Sequence, residues 1–350
     1  GSQRDPASIG LWLAGPEGLT VLRDEPGLHN ARRAGGTTVI SSRSLDADGS
    51  TVTVTAADAG ATGTVASYAD RPSLPAPAPV LLSGGERKLR TAILLPSWYR
   101  PGSGPLPVLC DPYGGPHAQR VLAHQGAFLT SQWFAEQGFA VLVADGRGTP
   151  GRGPAWDRTV AGDLATPALE DQAAALAAAA EQCQDLDTSR VAIRGWSFGG
   201  YLSALAVLRR PDVFHAAIAG APVTDWRLYD SHYTERYLGQ PQDNPDGYGA
   251  SSLLSDAAGL RRPLMIIHGL ADDNVVVAHS LRLSSALLAA GRPHQVLPLT
   301  GVTHMASQEE VAENLLLLQV EFLRAALGAA TGGFPRAAGI SSPPGSKRPV

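Results

Sequence analysis

Gly195-Trp196-Ser197-Phe198-Gly199 follows the apolar run Val191-Ala192-Ile193 and opens the helix-forming stretch Tyr201–Leu208. Ser197 therefore stands where a strand must turn sharply into a helix. Backbone at such a turn lies so close to its neighbours that glycine is required on both sides of the serine, and the bend pushes the hydroxyl out of the sheet. G-x-S-x-G arises by chance in a chain with 39 glycines. The strand before it, the helix after it and suitable partners downstream give this copy its weight.

Those partners follow two later strands. Pro263-Leu264-Met265-Ile266-Ile267 reads as a buried strand leading into His268-Gly269-Leu270-Ala271-Asp272-Asp273-Asn274-Val275. Gln295-Val296-Leu297-Pro298-Leu299 leads likewise into Gly301-Val302-Thr303-His304-Met305. The order Ser197, Asp272, His304 is that of an α/β-hydrolase and differs from the chymotrypsin and subtilisin orders. A serine hydroxyl is a weak nucleophile, so an imidazole must take its proton during attack and return it to the leaving group. A buried carboxylate then fixes the tautomer of the imidazole and stabilises the imidazolium. The chain has nine histidines, and an ordinary loop histidine is solvated or satisfied in a core; His304 differs by following a strand beyond the acid. His268 is a rival base, but it precedes the acid and reads as a strand-end packing residue. Asp273 competes with Asp272, and only one of two adjacent side chains can reach His304.

With 350 residues, 44% hydrophobic and 17% charged, the chain can bury one large α/β core with an appendage. A formal charge of −4 and the absence of a Lys/Arg cluster give no footprint for nucleic acid. No run of about eighteen apolar residues suggests a membrane span. Cys110 and Cys183 read as free core thiols rather than a disulfide framework. No signal-peptide pattern opens the chain. Its Gly1-Ser2 start without a methionine reads as a fragment boundary, which leaves the compartment undetermined, the cytoplasm favoured.

Residues 1–85 alternate β-type patches with Gly, Asp and Pro turns: Gly18–Leu22, Thr37–Ser41 and Thr51–Val54. They fit a meander such as one propeller blade, a partial remnant that cannot close a propeller by itself. Residues 86–330 switch to strands separated by helical stretches, the expected strands being Lys88–Leu95, Val108–Cys110, Phe139–Ala144, Val191–Ile193, Leu264–Ile267 and Val296–Leu299. This alternation implies a mostly parallel sheet with helices on both faces. Ala168–Cys183, Val276–Ala290 and Gln308–Leu327 are the clearest helices. Residues 331–350, rich in Gly, Pro and Ser, read as a disordered tail.

From about Arg90 to Leu327 the chain resembles the catalytic domain of the prolyl oligopeptidase family of serine peptidases, in its dipeptidyl peptidase IV branch. The blocks that carry the resemblance are Asp111-Pro112-Tyr113-Gly114-Gly115-Pro116, Asp145-Gly146-Arg147-Gly148, Gly195 through Tyr201, Ala221-Pro222-Val223-Thr224-Asp225-Trp226, Tyr233-Thr234-Glu235-Arg236-Tyr237, and His268-Gly269 through Asn274-Val275. The resemblance implies that Ser197 is the nucleophile, Asp272 the acid and His304 the base. It adds an oxyanion hole from the Tyr113 hydroxyl and the Phe198 backbone N–H. It also implies that Val223, Trp226, Tyr229, Tyr233 and Val275 line a hydrophobic pocket for the side chain before the cleaved bond, and that Asn274 binds a substrate carbonyl. From the residues alone, Tyr113 could simply cap a strand, Asn274 cap a loop, and Trp226, Tyr229 and Tyr233 form one face of a core helix. Arg147 reads as structural.

Two departures matter. The acidic pair that holds the substrate amine in dipeptidyl peptidases comes from their propeller and has no counterpart here, which opens the exopeptidase mode to question. Phe198 replaces a frequent tyrosine, but only its N–H is needed. The expected function is a serine peptidase cleaving short peptides after Pro or Ala through an acyl-enzyme, of the dipeptidyl peptidase type. An acyl-peptide hydrolase or carboxylesterase with the same triad is the enzymatic alternative, and a non-catalytic binding domain on a hydrolase scaffold the alternative of another class. No metal or organic cofactor is implied. Peptide substrates are the expected partners, with a homo-oligomer left open.

Overall fold

A computed structural model describes residues 5, 7–56, 61–70 and 72–328. The expected tail at 331–350 lies outside them. Two antiparallel units come first. β1 (Leu11–Gly15) and β2 (Gly18–Arg23) form a hairpin, while β3 (Leu28–Ala34), β4 (Thr37–Arg43), β5 (Thr51–Ala56) and β6 (Ala61–Val65) form a four-stranded meander. The three patches expected as strands are β2, β4 and β5. Their partners β1, β3 and β6 carry weaker alternation, and pairing rather than propensity holds them extended.

The main sheet has eight strands: β7 (Val80–Gly84), β8 (Leu89–Leu94), β9 (Leu106–Cys110), β10 (Ala140–Asp145), β11 (Leu186–Trp196), β12 (Ala216–Gly220), β13 (Leu264–Gly269) and β14 (Gln295–Leu299), in the order β14-β13-β12-β11-β9-β10-β8-β7. Only β8 runs against the others. The hairpin β7–β8 turns at residue 85, so β7 joins the main sheet although it precedes the boundary expected there.

Strands β10, β12 and β13 are buried along their whole length, which is why parallel strands read as continuous apolar runs rather than alternating ones. The helices are α1 (Leu129–Glu136), α2 (Pro154–Asp157), α3 (Thr166–Gln182), α4 (Phe198–Arg209), α5 (Ser231–Leu238), α6 (Pro245–Ala250), α7 (Ala278–Ala289) and α8 (Glu309–Leu327). One apolar core packs one face of the sheet with Leu176 of α3, Leu205 of α4 and Leu283 of α7. The other joins the opposite face to Phe134 of α1 and to Leu315 and Leu323 of α8. This is the α/β-hydrolase fold.

Strand β12, Ala-Ala-Ile-Ala-Gly, was not foreseen, because alanine and glycine are poor strand formers. Its small residues answer to crowding. A Cβ on Gly200 of α4 would lie 2.2 Å from the Gly220 carbonyl oxygen, so helix and strand touch backbone to backbone.

The β-rich segment is tied to the hydrolase unit by main-chain bonds from Ala123 N to Ala7 O (2.7 Å) and from Gln125 N to Ser44 O (3.1 Å). Both cysteines are free. No helix among the described residues is long and apolar enough to cross a membrane.

Candidate active site

Ser197 sits between the end of β11 and the start of α4 with φ 58° and ψ −117°, a region that L-residues occupy only when their surroundings force it. The surroundings do. A Cβ at Gly195 would lie 2.3 Å from the Gly199 carbonyl oxygen, so no other residue fits that turn. Ser197 N–H donates to Gly220 O at 2.8 Å, and Ser197 O accepts from Tyr201 N–H at 2.9 Å. The Phe198 N–H, first in α4, has no intrahelical partner.

Asp272 follows β13 with its carboxylate fully buried. Its Oδ1 accepts N–H bonds from Asn274 (3.0 Å) and Val275 (2.9 Å), and its Oδ2 accepts from His304 Nδ1 at 2.8 Å. Asp273 points outward and is exposed. His304 follows β14, and its carbonyl oxygen accepts from the Trp196 indole N–H at 2.6 Å. The ring's other nitrogen, Nε2, has no hydrogen-bond partner among the described residues. Ser197 and His304 border one cavity, with no hydrogen bond between Oγ and the ring; such bonds often tighten only when substrate binds.

His268 is a packing residue at the strand end. Its Nε2–H donates to Val275 O at 2.7 Å, and its Nδ1 accepts from Ser280 Oγ at 2.6 Å. Burial holds its pKa below the ordinary histidine value, so the ring is neutral. It stands 3.5 Å behind Asp272 Oδ2, on the inner side of the acid.

The shared cavity is about 410 Å³ and bordered by Tyr113, Ser197, Phe198, Val223, Trp226, Tyr229, Tyr233, Asn274 and His304. Tyr113 follows β9 and is set beside Phe198 (ring centroids 5.8 Å) by a loop resting on α4; a Cβ on Gly115 would strike the Phe198 ring at 2.4 Å. Asp111, two residues earlier, is clamped by Arg194 of β11 (2.7 Å) and Arg120 (2.9 Å). Burial pushes the Tyr113 phenol up to about 12, which keeps it a hydrogen-bond donor at neutral pH.

Trp226, Tyr229 and Tyr233 do not share a helix, contrary to the periodicity reading. Trp226 lies in a 3₁₀ turn, Tyr229 is extended, and Tyr233 belongs to α5, whose N-cap Asp230 accepts from Tyr233 N–H. The break turns their rings toward one another. Trp226 and Tyr233 stack at 6.0 Å and 11°, with Tyr229 edge-on to both. Tyr229 OH donates to Asn274 Oδ1 at 3.1 Å. Val275 is fully buried beside the cavity without bordering it; its N–H serves Asp272 instead.

Arg147 lies away from the cavity, where it pairs with Asp171 (2.9 Å) and Glu170 (2.8 Å). Three bordering residues escaped the sequence reading: Trp196, His117 and Met305. Proximity was the available signal, since they stand next to Ser197, four residues after Tyr113 and next to His304. His117 also carries a positive φ of 76° and sets its ring against Tyr233 at 5.1 Å.

Residues 126–330 match the model of the prolyl oligopeptidase family. The chain belongs to that family. It is 37% identical over 224 residues to dipeptidyl peptidase 8 of Mus musculus, covering 62% of this chain and 25% of the relative, and 36% identical to the Homo sapiens protein of that name over the same shares. The chain thus spans a quarter of the length of these curated relatives. Among solved structures, dipeptidyl peptidase 4 of Porphyromonas gingivalis superposes with a TM-score of 0.84 at 29% identity, covering 93% of this chain and 47% of that one.

Proposed function

We propose that this chain is the catalytic part of a serine peptidase of the dipeptidyl peptidase type, cleaving short peptides after proline or alanine through an acyl-enzyme. The observation that carries this reading is the 2.8 Å bond between Asp272 and His304 at the rim of the cavity that Ser197 also borders. In the proposed mechanism Ser197 Oγ attacks the scissile carbonyl while His304 Nε2 takes its proton, and Asp272 stabilises the resulting imidazolium. The Tyr113 hydroxyl and the Phe198 N–H donate to the oxyanion, whose charge develops only as the tetrahedral intermediate forms. His304 then protonates the departing amine, and water repeats the sequence on the acyl-enzyme.

The side chain before the cleaved bond enters between Trp226, Tyr229, Tyr233 and Val223. A box with stacked walls suits the flat pyrrolidine ring of proline better than a branched or charged side chain. Asn274, already joined to Tyr229, offers its amide to a substrate carbonyl. Residues before 85 are read as the end of a propeller, the element that carries the anchor for a free substrate amine in dipeptidyl peptidases.

The test compares Xaa-Pro and Xaa-Ala p-nitroanilides, with free and blocked N-termini, against short-chain nitrophenyl esters. Hydrolysis of the anilides is expected. Turnover of esters alone refutes the peptidase reading, and equal turnover of free and blocked anilides refutes dipeptidyl release.

A further inference from the structure

The loop that carries His304 is held at its start, where Ala271 N–H donates to Val302 O at 3.1 Å and a Cβ on Gly269 would lie 2.4 Å from Thr303 O; from Thr303 onward its main chain has few hydrogen bonds. Residues 303–307 fall between β14 and α8 without regular structure. Among the described residues, one hydrogen bond reaches their main chain: that from Trp196 Nε1 to His304 O at 2.6 Å. The other tether, from Asp272, acts on the imidazole ring. A ring fixed at Nδ1 alone can still pivot about that bond, so the position of Nε2 depends on where the backbone of His304 is held.

Trp196 is built to hold it. It is the last residue of β11, adjacent to Ser197, and its indole lies against Gly220 of β12. A Cβ on Gly220 would meet Trp196 Cε3 at 2.1 Å, so only glycine leaves room for the ring. The indole therefore spans from the strand that presents Ser197 to the loop that presents His304.

The geometry points to Trp196 as a positioning residue that fixes the imidazole relative to the serine through its indole N–H. This rests on the proposed serine chemistry and deepens it. Trp196 also borders the cavity, and a mere wall would affect substrate binding. A tether acts on the proton transfer instead. It should change the rate of serine acylation while leaving substrate affinity in place, because a displacement of about 1 Å in a reacting group costs on the order of a hundredfold in rate.

The experiment uses the full chain with Trp196→Phe and, in parallel, with the same indole replaced by its benzothiophene isostere, which keeps the ring and loses only the N–H. Labelling by a fluorophosphonate and the exchange of the His304 Nδ1 proton, followed by NMR, are measured together. The isostere is expected to be labelled about tenfold or more slowly, with KM for a p-nitroanilide within about twofold of native, and to exchange the Nδ1 proton faster. Native labelling overturns the inference. So does slower labelling with unchanged exchange, since the indole would then act on the ligand rather than on the imidazole. Absence of labelling in the native chain would strike the serine chemistry itself, and the exchange measurement would still decide the role of Trp196. If Trp196→Phe fails to fold, the isostere carries the test.

Discussion

In Asp272→Asn the shape of the acid is kept and its charge is lost. The outcome depends on which way the new amide turns, and the surroundings decide it. Oδ1 accepts two main-chain N–H bonds, from Asn274 and Val275. An amide nitrogen placed there would face two donors and leave both unsatisfied, at a cost of about 1–3 kcal/mol each. The carbonyl oxygen therefore stays on that side, and the amide N–H₂ faces His304 Nδ1. A donor at this position converts Nδ1 to an acceptor and moves the ring proton to Nε2, where it blocks abstraction of the serine proton. The expected loss in kcat is on the order of 10⁴, about 5.5 kcal/mol of barrier, with KM little changed because the aromatic cavity is untouched. Steady-state kinetics on an Xaa-Pro p-nitroanilide measures it, with thermal unfolding as the control for folding. A variant retaining activity within about tenfold of native would refute the assignment of Asp272. The exposed neighbour supplies the contrast: Asp273→Asn should remain within about twofold of native.

Tyr113→Phe removes the proposed oxyanion donor while keeping the ring against Phe198, so kcat should fall about a hundredfold with KM near native; a change confined to KM would place the phenol in ground-state binding. Gly200→Ala drives a Cβ to 2.2 Å from the Gly220 carbonyl oxygen, and chemical denaturation should show a loss of about 3 kcal/mol or a chain that does not fold; native stability would contradict the backbone contact between α4 and β12. His279 is buried, accepts the Thr224 N–H at Nδ1, and burial pushes it down to about 4. Its folded pKa lies below the unfolded value, so the unfolded chain binds the extra proton. Stability should therefore fall by about 3 kcal/mol as pH drops from 6.5 to 4 on this ring's account. His279→Gln should flatten that dependence, and identical pH profiles for the two proteins would refute it.

The residues that were legible in the sequence are those whose chemistry demands a fixed local pattern. Ser197 was readable because its φ 58° turn forces glycine at 195, and Asp272 and His304 because they follow the apolar strands β13 and β14. The choice between Asp272 and Asp273 depends on a three-dimensional fact, the inward turn after Gly269 that buries one carboxylate and exposes the other. Strand β12 was hidden because its side chains are selected for closeness to α4 and Trp196 rather than for strand propensity. Trp226, Tyr229 and Tyr233 have helical spacing, yet Asp230 caps α5 at Ser231 and breaks the helix between them, so tertiary packing overrides a periodic pattern. The role argued for Trp196 joins residues 108 positions apart, and no local pattern announces such a bond.

The most direct measurement is mass-spectrometric mapping of fluorophosphonate adducts on the full chain. Modification is expected at Ser197, abolished in Ser197→Ala and strongly reduced in His304→Ala and Asp272→Asn. Absence of an adduct at Ser197, or undiminished labelling there after loss of the His304 imidazole, would contradict a hydroxyl activated by His304 and Asp272.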